Sequence, residues 1–151
     1  MIELNQIILG DCMDVMREIP DKYFDCIIAD PPYMIGASST HSEKAKAGNW
    51  SDVMNQSYFY AAWISEGKRI LKDTGHLFCF GNWRSAPVIM KGFYDAKMRT
   101  EDMIIWDKDW IGPSGKSAYR PIYEIIIHGC VSEKAEISDR SRSNIIKYKW
   151  R

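Results

Sequence analysis

No run of this sequence approaches the ~18 continuous apolar residues that a membrane-spanning helix requires, and its opening, MIELNQIILGD, lacks the basic region of a secretory signal. Neither membrane insertion nor secretion is expected. The four cysteines (Cys12, Cys26, Cys79, Cys130) contain no CxxC pair, and the three histidines (His41, His76, His128) are scattered singly, so no zinc set can be assembled from spacing. The cysteines read as reduced core residues of a cytoplasmic protein, with no metal. Charge of one sign is not in excess either. Twenty basic residues face twenty acidic ones, so any nucleic-acid surface must be local rather than a property of the whole chain. The ten glycines (10, 36, 48, 67, 75, 81, 92, 112, 115, 129) include no GxG. GPSGKS at 112–117 ends like a nucleotide-triphosphate loop, but the glycine required five positions before Gly115 is Trp110. That excludes the nucleotide-triphosphatase reading and leaves a loop between strands. There is no internal repeat.

What is present suits one domain. With 151 residues, 46% of them hydrophobic, the chain can bury one substantial core. Five short apolar runs read as strands: 6–11 (QIILGD), 26–32 (CIIADPP), 76–81 (HLFCFG), 102–108 (DMIIWDK) and 123–129 (YEIIIHG). Helical patterns lie between them at 12–18, 57–71 and 84–94. The second carries Phe59, Trp63, Gly67 and Ile70 on one stripe, and the third has Pro87 in its first turn. Strands alternating with helices imply an α/β sheet with parallel character. Residues 34–57 are small, polar and aperiodic, which predicts a mobile loop. The segment 131–151 has six basic residues (Lys134, Arg140, Arg142, Lys147, Lys149, Arg151) against three acidic ones (Glu133, Glu136, Asp139), and reads as a basic tail.

The chemistry concentrates in Asp30, Pro31, Pro32 and Tyr33, directly after the apolar run Cys26 to Ala29. Ligands of open α/β sheets bind at the carboxyl ends of strands, and two prolines end the hydrogen-bond ladder there. An exocyclic amine of a nucleobase is a poor nucleophile because its lone pair is delocalised into the ring. A carboxylate and a backbone carbonyl on a rigid mount can accept both amine hydrogens and stabilise the positive charge that develops on the nitrogen. A tyrosine can stack on a base flipped from its duplex. Alternatively, the four residues are a strand-ending turn with a packed tyrosine.

The order of segments resembles a family. IILGDCMDVMREIPDKYFDCIIADPPY, AWISEGKRILKDTGHLFCFG, MIIWDK and YRPIYEIIIHG follow one another as in the amino-methyltransferases of DNA, which methylate adenine N6 or cytosine N4, in the subgroup whose catalytic motif precedes its cofactor motif. The resemblance covers nearly the whole chain and implies a Rossmann-like S-adenosylmethionine-dependent methyltransferase sheet, incomplete, with about five strands flanked by helices. It implies catalytic roles for Asp30, Pro31, Pro32 and Tyr33, and cofactor contacts from Asp11, Cys12 and Asp30. Tyr33, Arg120, Tyr123 and Glu124 would serve the target-base pocket, although structural pairing would equally explain the last three. DPPY with aspartate first points to adenine. The chain departs from the family in lacking the FxGSG loop that holds the methionine part of the cofactor. It is therefore expected to bind S-adenosylmethionine weakly or not at all by itself. The absent strands would lie between IILGD and CIIADPP, so the gap must close, take strands from a second chain, or be buried in a homo-oligomer. With DNA as the expected partner, the alternatives are a non-catalytic DNA-binding or assembly module and one half of a split enzyme.

Overall fold

The structure is a computed structural model that describes residues 5–32, 57–111, 116 and 119–149. The expected mobile loop at 34–57, apart from the start of a helix, lies outside the described residues, as do Tyr33 and most of 112–117. The elements are α1 (Cys12–Arg17), β1 (Phe24–Ala29), α2 (Ser57–Ile70), β2 (Leu71–Gly81), α3 (Ala86–Asp95), β3 (Arg99–Asp107), β4 (Tyr123–Cys130) and β5 (Ile145–Lys147). No helix among the described residues is long and apolar enough to cross a membrane.

The strands form one sheet in the order β1-β2-β4-β3-β5. β1 runs parallel to β2, β4 is antiparallel to both β2 and β3, and β5 is parallel to β3. The sheet is therefore mixed, and its parallel character is confined to the two outer pairs. β4 sits third in the order and carries Ile125, Ile126 and Ile127, all buried. A central strand covered on both faces needs such a continuous apolar run.

Both long helices cover one face. Leu77 and Cys79 of β2 and Ile125 and Ile127 of β4 form the core with Tyr60 and Ile64 of α2 and Ile89 and Phe93 of α3. The two helices cross where α3 has a glycine. A Cβ at Gly92 would lie 2.5 Å from Ile64 Cδ1 and 3.5 Å from the Tyr60 carbonyl oxygen. The buried stripe of α2 thus contains Tyr60 and Ile64 besides Trp63, Gly67 and Ile70, while Phe59 stays partly exposed. On the opposite face His76 Nδ1 lies 3.0 Å from His128 Nε2, and the Phe78 ring stacks on His128 at 4.4 Å.

Two expectations about strands require correction. Residues 6–11 are not a strand: Ile7 and Leu9 are fully exposed, and no strand among the described residues pairs with them. An apolar run becomes a strand only where a neighbour satisfies its backbone, and the sheet begins at β1. The segment 131–151, read as a tail, contributes β5. Ile105 N–H donates to the Asn144 carbonyl at 2.8 Å, and Trp106 Nε1–H donates to that of Tyr148 at 2.9 Å.

Candidate functional site

Strand direction brings the functional positions to one end of the sheet. β1 and β2 point the same way, so Asp30, after Ala29, and Asn82, after Gly81, emerge together. The antiparallel β4 begins at that end, with Gly81 opposite Ile125 and Asp107 opposite Tyr123.

Asp30 is exposed, whereas Pro31 and Pro32 are half-buried. The turn is fastened from below: Tyr60, wholly inaccessible in α2, donates its hydroxyl hydrogen to the Pro32 carbonyl at 2.8 Å. Burial pushes the Tyr60 hydroxyl up to about 12, with a smaller contribution from Cys79, so it remains a donor at any working pH. Burial, followed by the negative charge of Asp30, raises the neighbouring Cys79 thiol to about 12 as well. Cys79 is consequently an inert core group and not a nucleophile.

The remaining expected site residues divide between elements. Asp11 is the N-cap of α1, its carboxylate accepting from Met13 N–H at 2.8 Å, and Cys12 is the exposed first residue of that helix. The other end of α1 is tied to α2 at the amino end of the sheet, where Arg69 donates to the carbonyls of Met16 and Ile19, each at 2.8 Å. Glu124 accepts from Lys108 Nζ at 2.8 Å, and both side chains are largely buried, at 22% and 13% exposure. Arg120 donates to the Ile111 carbonyl at 3.3 Å. Tyr123 lines an open apolar cleft with Trp83, Pro87, Met90 and Met103. Asp30, Tyr123 and Glu124 therefore lie toward the carboxyl end of β1 and β2, Arg120 precedes them in the chain before β4, and Asp11 and Cys12 belong to the start of α1. Among the described residues no group of three or more histidine, cysteine, aspartate or glutamate side chains could hold a metal.

Sequence reasoning missed Tyr60 and Trp83. A stripe drawn through Tyr60 instead of Phe59 fits Ile64 as well and would have marked Tyr60 as a buried hydroxyl needing a partner. Trp83 and Arg84, directly beyond a strand end, were the local signal for an exposed aromatic.

The residues present fit the two ends of S-adenosylmethionine chemistry unequally. The Asp-Pro-Pro turn suits an amine acceptor. The ten glycines include no GxG, the spacing of a close-approach loop, and one oxygen of Asp11 is engaged as the cap of α1.

Comparison with known proteins bears on the family and the fold. The sequence model described as DNA methylase, of the N6 and N4 type, matches residues 24–149. The chain is 28% identical over 114 residues to the type II methyltransferase M.HinfI of Haemophilus influenzae, covering 70% of this chain and 32% of that protein. It is 29% identical over 128 residues to the DNA adenine methyltransferase YhdJ of Escherichia coli, covering 83% and 40%. Among solved structures, M1.HpyAVI superposes with a TM-score of 0.65 at 16% identity over 97% of this chain and 68% of that one. The cytosine-N4-specific PvuII methyltransferase does so with a TM-score of 0.61 at 12% identity, over 93% and 56%. These structural likenesses concern the fold, and the chain spans roughly a third of the length of the curated relatives.

Proposed function

From the premise that this chain belongs to the DNA methylase family of N6 and N4 type, we propose that it is the target-amine half of a site-specific DNA methyltransferase acting on adenine N6. The observation that carries this reading is the Asp30-Pro31-Pro32 turn at the carboxyl end of β1, pinned by the Tyr60 hydroxyl. The Asp30 carboxylate and the Pro31 carbonyl accept the two amine hydrogens of a flipped base, which draws the nitrogen lone pair out of ring conjugation. The two proline rings fix φ on either side of the accepting carbonyl, and Tyr60 occupies the next one. Tyr33 stacks on the base. Arg120, Tyr123 and Glu124 border the pocket, with Glu124 held by its ion pair to Lys108 just beyond β3.

S-adenosylmethionine is the methyl donor in this reading, and its methionine end is held by a polypeptide that supplies the glycine-rich loop. A second reading is a DNA-binding or assembly module without catalysis. The two separate in one experiment. Labelled S-adenosylmethionine and unmethylated DNA are incubated with the chain, alone and together with the products of adjacent reading frames, and the DNA is hydrolysed for mass spectrometry. The expected product is N6-methyladenine, dependent on the added polypeptide and abolished by Asp30→Ala. N4-methylcytosine as the sole product overturns the adenine assignment. Product that survives Asp30→Ala overturns the site, and micromolar binding of S-adenosylmethionine to this chain alone, by calorimetry, overturns the supplied-half reading.

A further inference from the structure

The Asp-Pro-Pro turn adjoins an apolar cleft that shares Tyr123 with the border of the target-base pocket but is otherwise lined by residues with no part in holding the target amine. Between the first half of α3 and the strands β3 and β4 lies an open cleft of about 650 Å³, lined by Trp83, Pro87, Met90, Met103 and Tyr123 among others. This volume is in the range of small-ligand pockets. Its rim is aromatic and exposed: Trp83 is 65% accessible and Tyr123 41%. Exposed apolar groups scattered singly need no explanation, but a contiguous group around a concavity marks a binding surface. The Arg84 guanidinium stacks over the Trp83 ring at 4.6 Å from its centroid, so the stacking surface has a positive charge on it. One element further, Lys108 Nζ lies 5.9 Å from the Trp110 centroid while also pairing with Glu124, which places Trp110 at the same end of the sheet.

We propose that this cleft stacks an unpaired nucleobase of a DNA single strand, next to the base whose amine is held at Asp30. The proposal rests on the DNA reading above but not on methyl transfer. Trp83 leaves the sheet one strand from Asp30, and Tyr123 begins the strand after that. With strands ~4.8 Å apart, the cleft is within reach of the nucleotide adjoining the flipped one. Aromatic faces that bind any base, combined with a cation for its phosphate, are the composition of single-strand stacking platforms. A peptide or a second copy of the chain would use the same apolar floor, and sedimentation separates the second copy; the nucleotide is favoured by the position of the cleft at the end of the sheet that carries Asp30.

The test uses fluorescence anisotropy of the chain with labelled single-stranded DNA carrying one adenine, intact or abasic only at the positions flanking that adenine, with no cofactor present. Intact DNA should bind about fivefold or more tightly than abasic DNA, as expected for one stacked base. Trp83→Ala and Tyr123→Ala should each bring intact DNA down to the abasic level without changing abasic binding. Trp83→Phe should restore most of the difference, and Arg84→Gln should weaken both ligands and reduce the dependence on salt. Equal binding of intact and abasic DNA, an equal loss of both in Trp83→Ala, or no binding of either overturns the proposal. So does a dimer in sedimentation that Met90→Asp disperses, because the cleft would then belong to a second copy. Methyl transfer in the preceding experiment together with base-independent binding here would sink this inference alone, and the reverse pair of results would sink only the methyltransferase reading.

Discussion

Replacing Tyr60 by Phe removes one hydroxyl and leaves the ring, whose neighbours Phe59 and Trp63 lie at 5.8 and 6.2 Å between centroids. What is lost is the 2.8 Å hydrogen bond to the Pro32 carbonyl. A buried hydrogen bond of this kind contributes about 1 kcal/mol net, and leaving the carbonyl without a donor adds to the cost. Pro32 is only half-buried, so water can partly replace the hydroxyl. The expected loss is about 1–2 kcal/mol, which lowers the melting temperature of a domain of this size by about 2–6 °C. Hydrogen exchange should show the effect concentrated in peptides spanning 24–32. The pH dependence adds a second check. Because the folded hydroxyl titrates at about 12 and the unfolded one at 10.0, the unfolded chain releases its proton first on raising the pH. The stabilisation from neutral Tyr60 is fully present below pH 10 and is lost as pH rises toward 12, so the difference between wild type and Tyr60→Phe should shrink across that window. A melting temperature unchanged within about 1 °C, or faster exchange spread evenly over the chain, would refute the role given to this bond.

Other outcomes follow from the same contacts. Gly129→Ala should cost about 1–3 kcal/mol in urea titration, because the new Cβ would meet the buried Phe93 ring at 2.6 Å and the Arg99 carbonyl oxygen at 2.8 Å. Arg69→Met should cost about 1.5–3 kcal/mol and loosen α1, seen as faster exchange over 12–20, because Arg69 donates to Met16, Ile19 and Asp21 together. Burial and the adjacent His76 hold the His128 imidazole below its usual 6.5, partly opposed by Glu101 and Asp102. Its contribution is present above pH 6.5 and is lost as pH falls through the lower folded value, so His128→Asn should flatten the acid limb of the stability profile.

The parts of the fold that could be read from sequence are those where local pattern and tertiary role coincide. The Ile125 to Ile127 run is apolar on both faces and is buried on both in β4, whereas the similar run Cys26 to Ala29, which suits a strand covered on both faces, forms the edge strand β1 with Cys26 and Ile28 exposed. Pro87 lies in the first turn of α3 as its missing N–H requires. The Asp-Pro-Pro turn was legible because each residue limits the backbone chemically. What stayed hidden depends on partners distant in sequence. Ile7 and Leu9 have strand chemistry and no neighbouring strand. Ile145 to Lys147 has too little length to stand out from its charged surroundings, and becomes a strand only against Ile105 to Asp107. Tyr60 acts through a bond to a carbonyl 28 residues away. Trp83 and Tyr123 meet only because β4 runs antiparallel to β2.

The crossing at Gly92 has a mechanical consequence. With no side chain between them there, α2 and α3 cannot slide without driving Ile64 into backbone, so they behave as one strut. One end of that strut grips Pro32 through Tyr60, and the other begins beside Trp83. The Asp-Pro-Pro turn and the start of the aromatic cleft thus hang on one helix pair, and a Gly92 substitution that pries the pair apart should disturb both.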